Sequence, residues 1–302
     1  MEAAMTVVHA TALDVRGARV EGLLPLPFED GLFTGAGILE SAVLAAAFPF
    51  DSVVGSWNAE VKARGVVEMR VQVLSGGSWS GWYGLGRWAP TGGRSLGSQE
   101  DSLGRVETDT LVLRRKATAL RYRIRLEGDF RVSRLRSVAV TYRDSSSTLD
   151  LSSSAFQKGP WVRELRLESR SQMEEQKRYP NDICSPTSLS MVLDFWGSKL
   201  STKKVAQAVR DVSDRSARIY GNWTLNVAAA SNWGLSGFVA WLNGFEDLQD
   251  EIARGRPVVV SIAFGEGELD GAPRLKTAPV LKSVLERQNS PVFIREERKK
   301  KR

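Results

Sequence analysis

Hydrophobic and polar residues alternate with period two across much of the first half of the chain. Val67, Met69, Val71 and Val73 alternate with Glu68, Arg70 and Gln72, and Leu120, Tyr122, Ile124 and Leu126 alternate with Arg121, Arg123 and Arg125. Successive strand side chains point to opposite faces, so each apolar set predicts a buried sheet face and each polar set a solvated one. Ser75-Gly76-Gly77-Ser78 predicts a hairpin turn into a strand over Trp79–Leu85. The apolar segment Val43–Ala47 fits a short helix or a buried strand, and its periodicity does not decide. Short strands, Gly-rich turns and no sustained helical period from Val7 to Tyr142 predict an antiparallel β-sandwich or jelly roll.

That pattern stops at Arg143. Ser145-Ser146-Ser147-Thr148 and Ser152-Ser153-Ser154 have the composition of a polar linker. Beyond Trp161 the period becomes helical. Leu165 and Leu167 predict a short strand, and Ser185–Trp196 a helix capped by Ser185, with Pro186 in its first turn and Gly197 at its end. Further helices are predicted over Thr202–Val212, Thr224–Asn232 and Phe245–Arg254, and a buried central strand over Pro257–Phe264. The fold class is α+β in two domains. Residues 1–143 form the β-sandwich, 144–160 the linker, 161–278 the helix-plus-sheet domain, and 279–302 a basic tail of divergent composition.

Composition narrows the classes. A chain of 302 residues, 42% hydrophobic and 25% charged, is neither wholly disordered nor fibrous. No apolar run reaches the ~18 residues of a membrane span, so none is expected. Met1–Val15 lacks a basic segment followed by an apolar core, so no signal peptide is readable there. The net charge is +7, but eight Lys/Arg and three Glu after Thr277 carry most of it. Charge gathered at one end reads as a solvated tail, and no nucleic-acid partner is expected. The lone cysteine, Cys184, excludes an internal disulfide and a multi-cysteine zinc site, and the lone histidine is His9.

Cys184 carries the candidate chemistry. A Gln-bearing segment, Ser171-Gln172-Met173, and a loop that holds Gln176 lead to Cys184 at the mouth of an amphipathic helix. Unpaired N–H groups and the macrodipole at a helix start favour an anion, which lowers a thiol pKa and supplies the thiolate nucleophile. The Cys184 N–H and a Gln amide can both donate to a developing oxyanion. The same residues also fit an inert cysteine buried in a first helical turn, and on pattern alone the two readings stand level.

The stretch Ser171–Gly197, with Cys184-Ser185-Pro186-Thr187-Ser188 opening an apolar helix that closes on Trp196-Gly197, resembles the papain-like cysteine peptidases of the bacteriocin-processing type, cysteine peptidase family 39. The likeness continues through Tyr220-Gly221-Asn222-Trp223, Gly234-Leu235-Ser236 and Gly255-Arg256-Pro257-Val258, covering about Arg163 to Ala278. Ser56-Trp57-Asn58-Ala59 and Gly81-Trp82-Tyr83-Gly84 resemble the β-rich domain that precedes such peptidase domains in some secreted bacterial proteins. The resemblance implies a papain-like fold, a peptide or protein substrate, no cofactor, no metal and a secreted or cell-surface location. It implies Cys184 as nucleophile and Gln172 as the oxyanion glutamine, with Gln176 as the alternative. It also implies a catalytic His after the central strand, then an Asp or Asn. Here the chain departs, because no His follows His9 and no Asp follows Asp270. The expectation is a peptidase-like pseudoenzyme, weak or inactive, whose truncated sheet leaves an open apolar edge beside Val258–Ile262. The alternative is a non-catalytic protein whose β-sandwich binds polysaccharide or protein.

The remaining motifs are expected to be structural. Trp79, Trp82, Tyr83 and Trp88 offer a sugar-stacking surface or packing area, and packing is favoured because Trp buries so much surface. Asp101, Glu107 and Asp109 are too scattered for a metal site. Glu266, Glu268 and Asp270 read as a polar hairpin rather than a calcium loop. His9, in the strand-like run Thr6–Ala12, reads as a structural histidine rather than a replacement base.

Overall fold

The computed structural model describes residues 3–62, 64–96, 99–128, 133–147, 159–160, 162, 164–175, 182–211, 220, 222–260 and 292–295. In the first half, the strands are β1 Ala4–His9, β2 Arg19–Pro25, β3 Phe33–Glu40, β4 Leu44–Val61, β5 Val66–Ser75, β6 Ser78–Trp79, β7 Tyr83–Ala89, β8 Gly92–Arg94, β9 Gly104–Glu107, β10 Thr110–Glu127 and β11 Ser133–Arg143. The period-two apolar sets of β5 and β10 are at most 1% exposed. These strands pair antiparallel with Ile124 opposite Met69. Gly76 and Gly77, at φ 59° and 81°, make the left-handed pair that a two-residue hairpin turn requires. The strand expected over Trp79–Leu85 is split between β6 and β7.

The expected sandwich is not two separate sheets. β3 pairs with β11, β11 with β4, β4 with β10, and β10 again with β3, so the hydrogen bonding closes a circuit. The 18-residue strands β4 and β10 make this closure possible. Register shifts between Val112 and Ala119 mark the irregularity where β10 turns from one partner to the next. Val43–Ala47 runs into β4 and is therefore strand, not helix.

The second half contains α1 Gln172–Glu175, α2 Cys184–Phe195, α3 Thr202–Val209, α4 Trp223–Asn232, β12 Ser236–Val239, α5 Phe245–Ala253, β13 Val258–Val259 and β14 Val292–Arg295. One expectation is corrected. Residues 164–170 form no strand, because this half-exposed segment has no neighbouring strand to bond among the described residues. β14 lies antiparallel between β12 and β13 with Val258 opposite Phe293, and β13 ends the sheet, so its other edge has no strand partner among the described residues. Four residues of the stretch read as a tail are therefore strand. Residues 148–158 of the linker, Gln176, the acidic segment 265–271, residues 261–264 of the central strand, and positions 279–291 and 296–302 of the tail lie outside the described residues.

The two halves share one continuous apolar core. Ser52–Ala59 of β4 is buried at every position, because α4 packs on it from the side of the second half. Side-chain amides cross between the halves in both directions. Asn58 accepts from the Gly237 N–H at 2.9 Å and donates to the Gly237 carbonyl at 2.8 Å. Asn243 accepts from the Ala3 and Ala4 N–H groups at 2.9 and 2.8 Å and donates to the Ala4 carbonyl at 2.9 Å. Each Asn thus bonds the other half's strand as a neighbouring backbone would. The end of α3 is satisfied likewise, with the Trp88 indole donating to the Ala208 carbonyl at 2.9 Å and the Gly93 N–H to the Arg210 carbonyl at 3.0 Å.

Candidate active site

Cys184 is the first residue of α2, and its side chain is exposed, not buried. The expected cap is corrected. Ile183 occupies the N-cap position at φ −113°, ψ 23° with no side-chain hydrogen bond, and Ser185 falls inside the first turn. Burial decides this placement. Ile183 is 1% exposed and anchors the helix start, while the buried Ser185 hydroxyl has no partner among the described residues. The Ile183 carbonyl accepts from the Thr187 N–H at 3.0 Å and the Thr187 hydroxyl at 2.7 Å. First-turn N–H groups have no intrahelical acceptor, and Pro186 has no N–H to satisfy. The positive end of the helix dipole therefore meets an exposed side chain at Cys184.

Below Cys184, the buried Leu189, Val192 and Leu193 seat α2, and the Ser190 and Thr202 hydroxyls, 3.0 Å apart, tie it to α3. Gln172 opens α1, which lies against α2. Arg170 holds this segment in place. It donates to the Leu200 carbonyl at 2.9 Å and stands 3.6 Å from Asp194 of α2. Gln172 is half-buried, and no hydrogen bond joins it to Cys184 among the described residues.

His9 is 8% exposed, with Nδ1 2.7 Å from the Tyr122 hydroxyl. Burial pushes its pKa below the ordinary value, against the pull of Asp14. β1 packs on β11, whereas α2 packs on α1, α3, α4 and β13. His9 is thus a core residue of the β half and is not brought to Cys184. A cavity of about 1030 Å³ between the halves is lined by Val8, Phe28, Glu60, Arg134 and Phe238 among others, with no residue of α1 or α2.

The remaining candidates are tied into the fold. Trp88 and Tyr83 are buried, and the Tyr83 hydroxyl donates to Asp101 at 2.5 Å. Arg123 lies 4.1 Å over the Trp82 ring and Arg121 lies 5.0 Å over Trp79. Glu107 pairs with Arg105. Asp109 is buried and its Oδ2 accepts from the Trp223 N–H at 2.8 Å. Burial pushes the Asp109 carboxyl above its ordinary pKa, against hydrogen bonds from the Trp223 N–H, the Thr110 hydroxyl and the Thr224 N–H. Sequence reasoning missed this role, along with that of Arg136, whose guanidinium reaches the end of α4. No local signal names a partner 114 positions away, the separation of Trp223 from Asp109.

Two family models match the chain. The peptidase C39 N-terminal domain matches residues 33–142, and the Peptidase_C39 like family matches residues 165–283. The chain is thereby assigned to the C39-like peptidases, with its β-rich half in the place of their N-terminal domain. Cys184 lies inside the second match. No curated protein matches the chain.

Proposed function

We propose that this chain is a cysteine peptidase-like protein with Cys184 as nucleophile toward peptide bonds, and that it turns over little substrate as it stands. The observation that carries the reading is the exposed Cys184 at the uncapped start of α2, in a chain whose one histidine is buried against Tyr122. Cys184 thiolate attacks the scissile carbonyl carbon, and its own N–H with the Gln172 amide holds the oxyanion. Expulsion of the amine then needs a proton, and the acid that normally supplies it is absent. Loss of the base from such a triad leaves on the order of 10³–10⁴-fold over water from binding and the oxyanion hole. A secreted or cell-surface location is part of the same proposal.

The second reading, a polysaccharide platform on the β half, has less support, because Arg guanidinium groups already lie over Trp79 and Trp82. A thiol-reactive peptide electrophile at neutral pH separates the readings. Selective labelling of Cys184, slowed by Gln172→Ala, supports the nucleophile. Labelling no faster than a free thiol supports a non-catalytic scaffold. Peptide-library turnover at ordinary enzyme rates, about 1–10³ s⁻¹, abolished by Cys184→Ser, overturns the impairment.

A further inference from the structure

Both ends of α4 are held from the β half. At its start, Asp109 takes the Trp223 N–H at 2.8 Å, beside the helix's own cap, where Asn222 accepts from the Leu225 N–H at 2.9 Å. At its end, Arg136 Nη2 donates to the Ser231 carbonyl at 2.8 Å, the Ser231 hydroxyl at 3.0 Å and the Leu235 carbonyl at 2.9 Å. Between the ends, the Thr224 hydroxyl donates to the Gly55 carbonyl at 2.6 Å and the Ser231 hydroxyl to the Ala59 carbonyl at 3.1 Å. The Val61 N–H donates to the Asn232 side chain at 2.8 Å. Leu225 fits only because residue 93 is glycine, since a Cβ there would stand 2.2 Å from Leu225 Cδ1.

Two irregularities of the β half deliver the end contacts. Asp109 follows Thr108, which at φ 58° is the one non-glycine described residue with a left-handed backbone. The two form the turn between β9 and β10, with Glu107 opposite Thr110. Strained backbone of this kind persists where the surroundings impose it, and it collects at positions with a task. Arg136 is the residue passed over where the β11–β4 register shifts between Leu135 and Ser137. A bulge there re-aims a side chain that a regular strand would keep in line. Each irregularity sets a side chain that reaches an end of α4.

We propose that Asp109 and Arg136 are positioning residues that fix α4 at its two ends, so that the β half sets the seat of the Cys184-bearing helix α2, which packs on α4. The proposal holds whether or not Cys184 turns over substrate. Hydrogen bonding is the agent at the Asp109 end, so an acceptor of the same shape suffices there. At the other end one cation serves two carbonyls and a hydroxyl, favourable chemistry at a helix C-terminus.

The test uses the full chain with Asp109→Ala, Asp109→Asn, Arg136→Met and Arg136→Lys, read by amide exchange and by alkylation of Cys184, its only cysteine. Asp109→Ala and Arg136→Met should speed native-state exchange in both α4 and α2 by about tenfold or more while β5 and β10 keep their rates. Cys184 alkylation should change by about threefold or more in the same two variants. Asp109→Asn should restore both readouts to near the unmodified chain, and Arg136→Lys should restore them in part. If α4 loosens while α2 exchange and Cys184 alkylation stay unchanged, the two residues are merely structural and the proposal fails. Failure of Asp109→Asn to rescue also overturns it. Should Asp109→Ala not fold, Arg136→Met reads the opposite end under the same requirement.

Discussion

The starts of α2 and α4 lie in the same half of the molecule and are treated in opposite ways. α4 begins at a fully buried Asn222 whose side chain caps it, and Asp109 from the other half adds a second acceptor. α2 begins at Ile183, with no side-chain cap, and turns Cys184 outward. A helix start carries unpaired N–H groups wherever it occurs. Where the protein needs rigidity, those groups are spent on side chains. Where they are left open, a negative charge or an oxyanion can use them. The contrast therefore separates a structural helix start from a chemical one without any reference to motif.

The largest effect that could break this contrast is accessibility. In a Cys184→Ser background, a thiol placed by Asn222→Cys should react with iodoacetamide on the order of 10³-fold more slowly than Cys184 does in the unmodified chain. Comparable rates by mass spectrometry would erase the distinction. Next comes packing. Leu225→Ala, at a 0% exposed position on α4, should cost about 2–5 kcal/mol in denaturant unfolding. Met173→Ala on α1, 58% exposed, should stay within about 0.5 kcal/mol. The caps themselves follow. Asn222→Ala should cost about 0.5–2 kcal/mol. Ser185→Ala should be neutral or stabilising, because its buried hydroxyl has no partner to lose among the described residues.

The smallest effect is a titration in the β half. Burial holds His9 below its ordinary value of 6.5, so protonation favours the unfolded chain. The stability carried by the neutral imidazole is complete above 6.5 and is lost as pH falls below it. Stability should therefore fall between about pH 7.5 and 5.5, and His9→Gln should flatten that slope. An unchanged slope in melting temperature would assign the acid sensitivity elsewhere.

Much of the β half was legible because its strands have one buried face, as in the alternation of Leu120, Tyr122, Ile124 and Leu126. β4 was not, since both faces of Ser52–Ala59 are covered and Ser56 and Asn58 sit where apolar residues would mark a core. Those polar residues are there to bond β12, as when Ser56 accepts the Val239 N–H at 3.1 Å. Helices α2 to α5 were legible from their apolar spacing to within a few residues, but α1 was not, since Gln172 was read as part of the segment leading to Cys184. The start of α2 was misread because a rule that favours Ser at the cap was applied where buried Ile183 decides the register. Cys184 could be nominated from its place before an apolar helix. The clamp on α4 could not, since Asp109 and Arg136 are separated from their partners by about a third of the chain.

The Asn243 bridge to Ala3 and Ala4 has a consequence for synthesis. β1 leaves the ribosome well before Asn243, and its backbone is bonded by that side chain some 240 positions later. At about 5–20 residues per second, roughly 12–48 s separate the two. During that interval β1 can pair with β11 but not be locked in place. β1 is thus made long before the side chain that finishes its hydrogen bonding.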